Sequence, residues 1–95
     1  MQDLTVLILA QNEEKNIERS VSSVRKIAKR IIVVDSGSTD RTIELAQKNG
    51  AEVIQHAPFI NYATQFNWGL NNTGIDTKWV LRLDADEQIT TELAH

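Results

Sequence analysis

Leu4-Thr5-Val6-Leu7-Ile8-Leu9-Ala10 is a nearly continuous apolar run. It is far short of the roughly 20 residues that cross a bilayer, and it lacks the alternation of a strand wet on one face. A run of this kind is a strand covered on both faces, as the strands of parallel sheets are. Two later runs repeat the pattern. Ile31-Ile32-Val33-Val34 is β-branched throughout. Lys78-Trp79-Val80-Leu81-Arg82-Leu83 alternates, with Trp79, Leu81 and Leu83 on one face and Val80 and Arg82 on the other. Each run ends in polar or acidic residues: Gln11-Asn12-Glu13-Glu14, Asp35-Ser36-Gly37-Ser38-Thr39-Asp40 and Asp84-Ala85-Asp86-Glu87. Ala51 to Ile54 reads as one further short strand.

Helical spacing fills the intervals. From Glu14 to Arg30 the apolar residues Ile17, Val21, Val24, Ile27 and Ala28 fall on one face of a 3.6-residue helix. Arg41 to Asn49 reads as a second helix carrying Ile43, Leu45 and Ala46, stopped by Gly50. Gln55 to Ile60 holds the only proline and is expected to be a loop, after which Tyr62, Phe66, Gly69 and Leu70 line a third helix up to about Asn72. Strand alternating with helix predicts an α/β fold, a Rossmann-like, mostly parallel sheet with flanking helices. No internal repeat, low-complexity tract or linker interrupts it. The fourth strand and its acidic loop are followed by only eight residues, Gln88 to His95, so residues 1–95 read as the front half of a longer α/β enzyme.

Composition narrows the partners. Ninety-five residues make one small domain, and 41% hydrophobic with 24% charged is ordinary for a globular chain. Ten Lys+Arg against thirteen Asp+Glu give a net charge of -3, which offers no footprint for nucleic acid. The absence of cysteine excludes disulfides and thiolate metal sites. With no membrane-spanning run and no signal-like leader, the chain is expected to be soluble and cytoplasmic.

In open α/β sheets ligands bind beyond the carboxyl ends of the strands, and four acids follow strands here: Glu13, Asp35, Asp84 and Asp86. Gathered together they repel one another unless a cation offsets them, and oxygen ligands favour Mg²⁺ or Mn²⁺. Such an ion can bridge the two phosphates of a nucleotide diphosphate and stabilise its departure. Structural roles compete with this one. Asp84 and Asp86 can cap a short helix over Thr90 to Ala94, and Asn12-Glu13-Glu14 can be a cap with an acidic first turn. Asp35 can order the turn behind it. Capping by Ser38 or Thr39 and dipole pairing by Asp40 account for the rest of that loop, which leaves Asp35 available to a nucleoside.

Three segments, Thr5 to Glu14, Ile32 to Thr42 and Trp79 to Glu87, together resemble the nucleotide-sugar-binding half of a family 2 glycosyltransferase with the GT-A fold. The likeness covers essentially all 95 residues. The Asp35-to-Asp40 segment, with Phe59 and Gln65-Phe66-Asn67, is similar to members acting in lipopolysaccharide core synthesis. The resemblance implies inverting transfer from a nucleotide diphosphate sugar, a UDP-sugar being favoured, to an acceptor hydroxyl. It implies that Asp35 bonds the base or ribose, that Asp84 lies near the ribose or donor sugar, and that Asp86 coordinates Mg²⁺ or Mn²⁺. Ala10, Gln11, Asn12 and Glu13 would line the base pocket. Ala10 and Gln11 stand where many members carry a threonine and an aromatic, so stacking of the base there is lost, and Ser36 replaces a common second aspartate. The family's general base lies downstream of the Asp-x-Asp, so it is expected beyond His95 and this chain alone is not expected to transfer sugar. The full-length protein is expected to be at most membrane-peripheral.

A sugar nucleotidylyltransferase shares such a sheet but needs a Gly-rich basic loop after the first strand, which Gln11-Asn12-Glu13-Glu14 is not. A non-catalytic binding or assembly module is the other alternative. Arg25, Lys26, Lys29 and Arg30 are expected at a helix carboxyl end, His56 has no nearby partner for a zinc site, and Tyr62, Phe66, Trp68 and Trp79 are expected to pack. Arg82 is expected to be buried and paired with a loop acid. An outer strand with unpaired backbone groups would permit self-association.

Overall fold

The computed structural model describes residues 2–57 and 60–85. Along the chain come β1 (Gln2–Ala10), α1 (Ile17–Val24), β2 (Ala28–Asp35), α2 (Thr42–Lys48), β3 (Glu52–Gln55), α3 (Tyr62–Asn72) and β4 (Trp79–Asp84). The strands form one parallel sheet in the order β3-β2-β1-β4. The expected Rossmann-like α/β architecture is what these residues build.

β1 lies inside the sheet, and Thr5 to Ala10 are all buried. Val6, Ile8 and Ala10 face one layer with Ile17, Val21 and Val24 of α1 and Leu45 and Ala46 of α2. Leu7 and Leu9 face the opposite layer with Ile32, Val34, Phe66 and Trp68. A strand sandwiched this way has no wet face, which is why its sequence is apolar throughout. Gly69 sets the approach of α3. A β-carbon there would lie 2.9 Å from Leu7 Cδ1 and 3.1 Å from Val34 Cγ2, so only glycine lets the helix sit this close.

The first helix is shorter than its spacing suggests. Glu13 to Asn16 form a turn in which the N–H groups of Asn16 and Ile17 both donate to the Glu13 carbonyl, at 2.9 and 2.8 Å. At the other end Ile27 N–H closes a turn on the Val24 carbonyl at 3.1 Å, and Ala28 is already paired with Gln2 of β1. Ile27 and Ala28 satisfy a helical stripe, but the β-branched run from Ile31 has its hydrogen-bonding partner in β1, and the ladder extends back to Ala28 while Ile27 stays in the turn.

The basic cluster is therefore divided, with Arg25 capping the end of α1 and Lys26 following it. Lys29 and Arg30 belong to β2, and Arg30 forms a clamp. Its Nε and Nη2 donate to the Glu52 carboxylate at 2.9 and 2.8 Å, and its Nη1 and Nη2 to the carbonyls of Gly74 and Thr73 at 2.9 and 3.2 Å. One side chain thus ties β2 to β3 and to the end of α3. The guanidinium hydrogen-bonded to Glu52 holds that carboxyl below its ordinary value. A depressed carboxyl contributes stability at pH above the unfolded-state value, and that contribution disappears as the pH falls through the folded-state value. Glu52 is 55% exposed, so water screens the pair. Glu52→Gln is expected to cost at most about 1 kcal/mol at neutral pH. The gap between the two urea midpoints is expected to close on acidification through the carboxylate range.

Arg82 departs from expectation. Its side chain is 45% exposed, because β4 lies at an edge of the sheet among the described residues. It still meets an acid, with Nη2 3.8 Å from Asp84 Oδ2, and its guanidinium lies over the Tyr62 ring, 5.8 Å from the centroid. Trp79 and Tyr62 are 63% and 53% exposed, so only Phe66 and Trp68 of the four aromatics pack as expected. The expected helix over Thr90 to Ala94 lies outside the described residues.

Candidate functional site

From β1 the chain winds outward through β2 to β3. Then α3 carries it back over the sheet to β4, on the other side of β1. The direction of winding reverses between β1 and β4, and at such a switch point the flanking loops part and leave a crevice. A cleft of about 180 Å³ opens there. Leu9, Ala10, Gln11 and Glu13 line it from the end of β1, Asp84 and Ala85 from the end of β4, Tyr62 and Gln65 from the first turn of α3, and Ser36 from the loop after β2.

The β4 side is anchored from below. Ala85 N–H donates to the Leu9 carbonyl at 3.1 Å, and the buried hydroxyl of Ser20 on α1 donates to the Ala85 carbonyl at 2.6 Å. Both backbone polar groups of the residue between Asp84 and Asp86 are thereby fixed.

The loops after β1 and β2 are stitched together by side chains. Asn12, at φ 53°, takes a left-handed backbone that Asn tolerates better than most residues. Its N–H donates to Ser38 Oγ at 2.8 Å, and its Oδ1 accepts from Thr39 N–H at 2.8 Å. Glu13 N–H donates to Thr42 Oγ1 at 2.8 Å, and Glu14 N–H to Asp40 Oδ2 at 3.2 Å. Asp40 also accepts from the backbone N–H and hydroxyl of Thr42, and these bonds lower its carboxyl pKa against the opposing effect of desolvation. Glu13 keeps its carboxylate at the cleft, where Oε2 accepts from Asn16 Nδ2 at 3.0 Å.

Asp35 is placed differently from the other acids. It pairs with Ala10, on the sheet face that packs against α1 and α2, whereas Asp84 pairs with Leu9, on the face toward α3. The Asp35 side chain has no exposed surface and is absent from the lining of the cleft. Oδ2 accepts from the N–H groups of Gly37 and Ser38 at 3.0 and 2.8 Å, and Oδ1 accepts from the Ser38 hydroxyl. The expectation that Asp35 is left available by its loop does not hold, because it organises the loop. Of the acids named from sequence, Glu13 and Asp84 share the cleft, Asp35 sits beside it, and Asp86 lies outside the described residues. Gln11 and Ala10 line the cleft, while Asn12 serves the seam between the loops.

Sequence reasoning missed Ser36, Tyr62, Gln65 and Ala85. A signal for two of them was present, since a helix in a strand-helix-strand unit starts at the carboxyl edge of the sheet, so its first turn borders the crevice. Gln65 is 2% exposed. Its Nε2 donates to the His56 carbonyl at 3.1 Å and its Oε1 accepts from His56 Nδ1 at 2.9 Å, while the His56 ring stacks on Trp68 with centroids 4.0 Å apart.

Among the described residues no group of three or more His, Asp or Glu side chains could hold a metal ion. Glu13 and Asp84 supply hard oxygen donors to the cleft. That set fits an ion completed by phosphate oxygens and water, the usual arrangement for Mg²⁺ at nucleotide sites.

The family model for glycosyl transferase family 2 matches residues 5–94. The chain belongs to that family. An uncharacterized glycosyltransferase of Rickettsia bellii is 39% identical over 90 residues, covering 95% of this chain and 30% of the relative. The lipopolysaccharide core biosynthesis glycosyltransferase LpsC of Rhizobium meliloti is 32% identical, with 95% of this chain and 34% of that protein covered. Glucosyl-3-phosphoglycerate synthase of Mycobacterium tuberculosis, solved with Mn²⁺, UDP and glucosyl-3-phosphoglycerate, superposes with a TM-score of 0.72 at 26% identity, over 90% of this chain and 35% of that one. The family 2 chain described here thus spans about a third of the length of these relatives.

Proposed function

We propose that the cleft between β1 and β4 receives the nucleotide diphosphate sugar of a glycosyltransferase, with Mg²⁺ or Mn²⁺ on the diphosphate. The observation that carries it is the meeting of Glu13 and Asp84 at the switch point of a family 2 sheet. A divalent ion there would offset the charge that builds on the departing diphosphate. Asp84 and Asp86 are the residues to hold it or the neighbouring ribose. Ala10, Gln11 and Glu13 form the wall along which the nucleotide lies. Asp35 contributes by fixing the loop that carries Ser36. The attacking hydroxyl needs a base within hydrogen-bond reach.

A UDP-sugar donor is favoured by the solved relatives that carry UDP, and a role in lipopolysaccharide or other envelope glycan synthesis by the likeness to LpsC. Among the described residues no helix is long and apolar enough to cross a membrane, which suits a cytoplasmic enzyme that meets the membrane from its surface. The outer edge of β4 is a place where a further strand or a second copy can pair.

Titration calorimetry of the chain with UDP is expected to show binding that strengthens on adding Mn²⁺. Asp84→Asn is expected to weaken the metal-dependent part by about tenfold, the scale of one charge-assisted contact. Affinity for UDP that ignores Mn²⁺ in the wild type would count against the reading.

A further inference from the structure

A nucleotide needs a surface for its base, and the floor of the cleft offers none at the end of β1, where Leu9, Ala10 and Gln11 carry no aromatic ring. The neighbouring acid, Asp35, is buried and spends both oxygens on its own loop. The opposite wall has what is missing. Tyr62 and Gln65 stand one turn apart on α3 and both line the cleft. Tyr62 is the aromatic residue among the lining side chains, half-exposed, with the Arg82 guanidinium over its ring.

Gln65 is built as a fixed polar contact. Burying an amide is costly unless its groups are bonded, and here the two bonds to His56 set its orientation: the amide nitrogen faces the His56 carbonyl and the amide oxygen faces the ring nitrogen. Stacking on Trp68 in turn holds the His56 ring. The arrangement uses one of the two N–H groups on Nε2 and leaves one donor on a side chain that borders the cleft.

We infer that the first turn of α3 reads the nucleobase, with Tyr62 as its stacking surface and Gln65 as a donor to a base carbonyl. The inference rests on the donor-site reading above and assigns the base-reading role within it. Uracil offers Gln65 its carbonyl oxygens, and adenine offers ring nitrogens that also accept. His56 is a positioning residue, acting through Gln65.

The test is calorimetry of the chain with UDP, ADP and inorganic pyrophosphate, each with Mn²⁺. Tyr62→Ala is expected to weaken both nucleotides by about tenfold or more, the usual scale for losing one stacked base, and to leave pyrophosphate unchanged; Tyr62→Phe is expected to retain binding. Gln65→Met is expected to weaken both nucleotides and to leave pyrophosphate unchanged. Tyr62 is at the surface, so its variants report even if Gln65→Met unfolds. Unchanged UDP affinity in Tyr62→Ala overturns the assignment, as does an equal loss for pyrophosphate. A wild-type chain that binds pyrophosphate with Mn²⁺ but gains nothing from a base sinks this inference alone. One that binds none of the three sinks the donor-site reading and this inference with it.

Discussion

Asp35→Ala is expected to lower the unfolding free energy by about 3 kcal/mol in the absence of any ligand, since it removes three hydrogen bonds to a fully buried acceptor. That is a large share of the roughly 5–15 kcal/mol that holds a small domain together. The loss extends beyond the loop itself, because Ser38 also accepts from Asn12 N–H, so the β1 loop loses its seam with β2. Asp35→Asn is expected to be milder, near 1 kcal/mol, because an amide oxygen can still face the two backbone N–H groups while its nitrogen donates to the Ser38 hydroxyl. Urea denaturation of the two variants checks the order. An alanine variant that unfolds at the wild-type midpoint would show that the loop does not depend on this carboxylate.

Gly69→Val is expected to cost about 3 kcal/mol, by forcing a branched side chain into a space where even a β-carbon meets Leu7 and Val34 at 2.9 and 3.1 Å. Both neighbours are fully buried, so neither has room to swing away. Gly69→Ala is less informative, because the clash is partly offset by the gain of about 1 kcal/mol from replacing glycine inside a helix. The valine variant has a second readout. Pushing α3 outward moves Tyr62 and Gln65 with it, so nucleotide affinity is expected to fall together with the denaturation midpoint. A variant with unchanged midpoint and unchanged affinity would mean that α3 is free to shift, contrary to its packing.

The layered fold is legible in the sequence because β1 is apolar on both faces at every buried position but Thr5, and few arrangements other than a covered parallel strand accept Leu4 to Ala10. The end of the first helix was not legible, since Ala28 fits a helical stripe as well as the start of a strand, and only pairing with β1 decides between them. The exposure of Arg82 depends on β4 lying at an edge, which no local pattern reports. For the site, position after a strand brought Glu13 and Asp84 to light. It did not show the loop bonds of Asp35, because parity along β2 turns that side chain toward the α1 and α2 layer, and one-dimensional spacing does not show which loop donors await it there. Tyr62 looked like ordinary helix packing until the return of α3 over the sheet placed its first turn beside the crevice.

The seam between the loops after β1 and β2 has a kinetic consequence. Asn12, Glu13 and Glu14 each commit an amide hydrogen to a side chain on the opposing loop, so their exchange with solvent deuterium requires both loops to open in concert. On the proposed donor-site reading, a nucleotide arriving at this wall would meet a surface whose ordering entropy was spent when the chain folded, and little of the affinity would be consumed in arranging it.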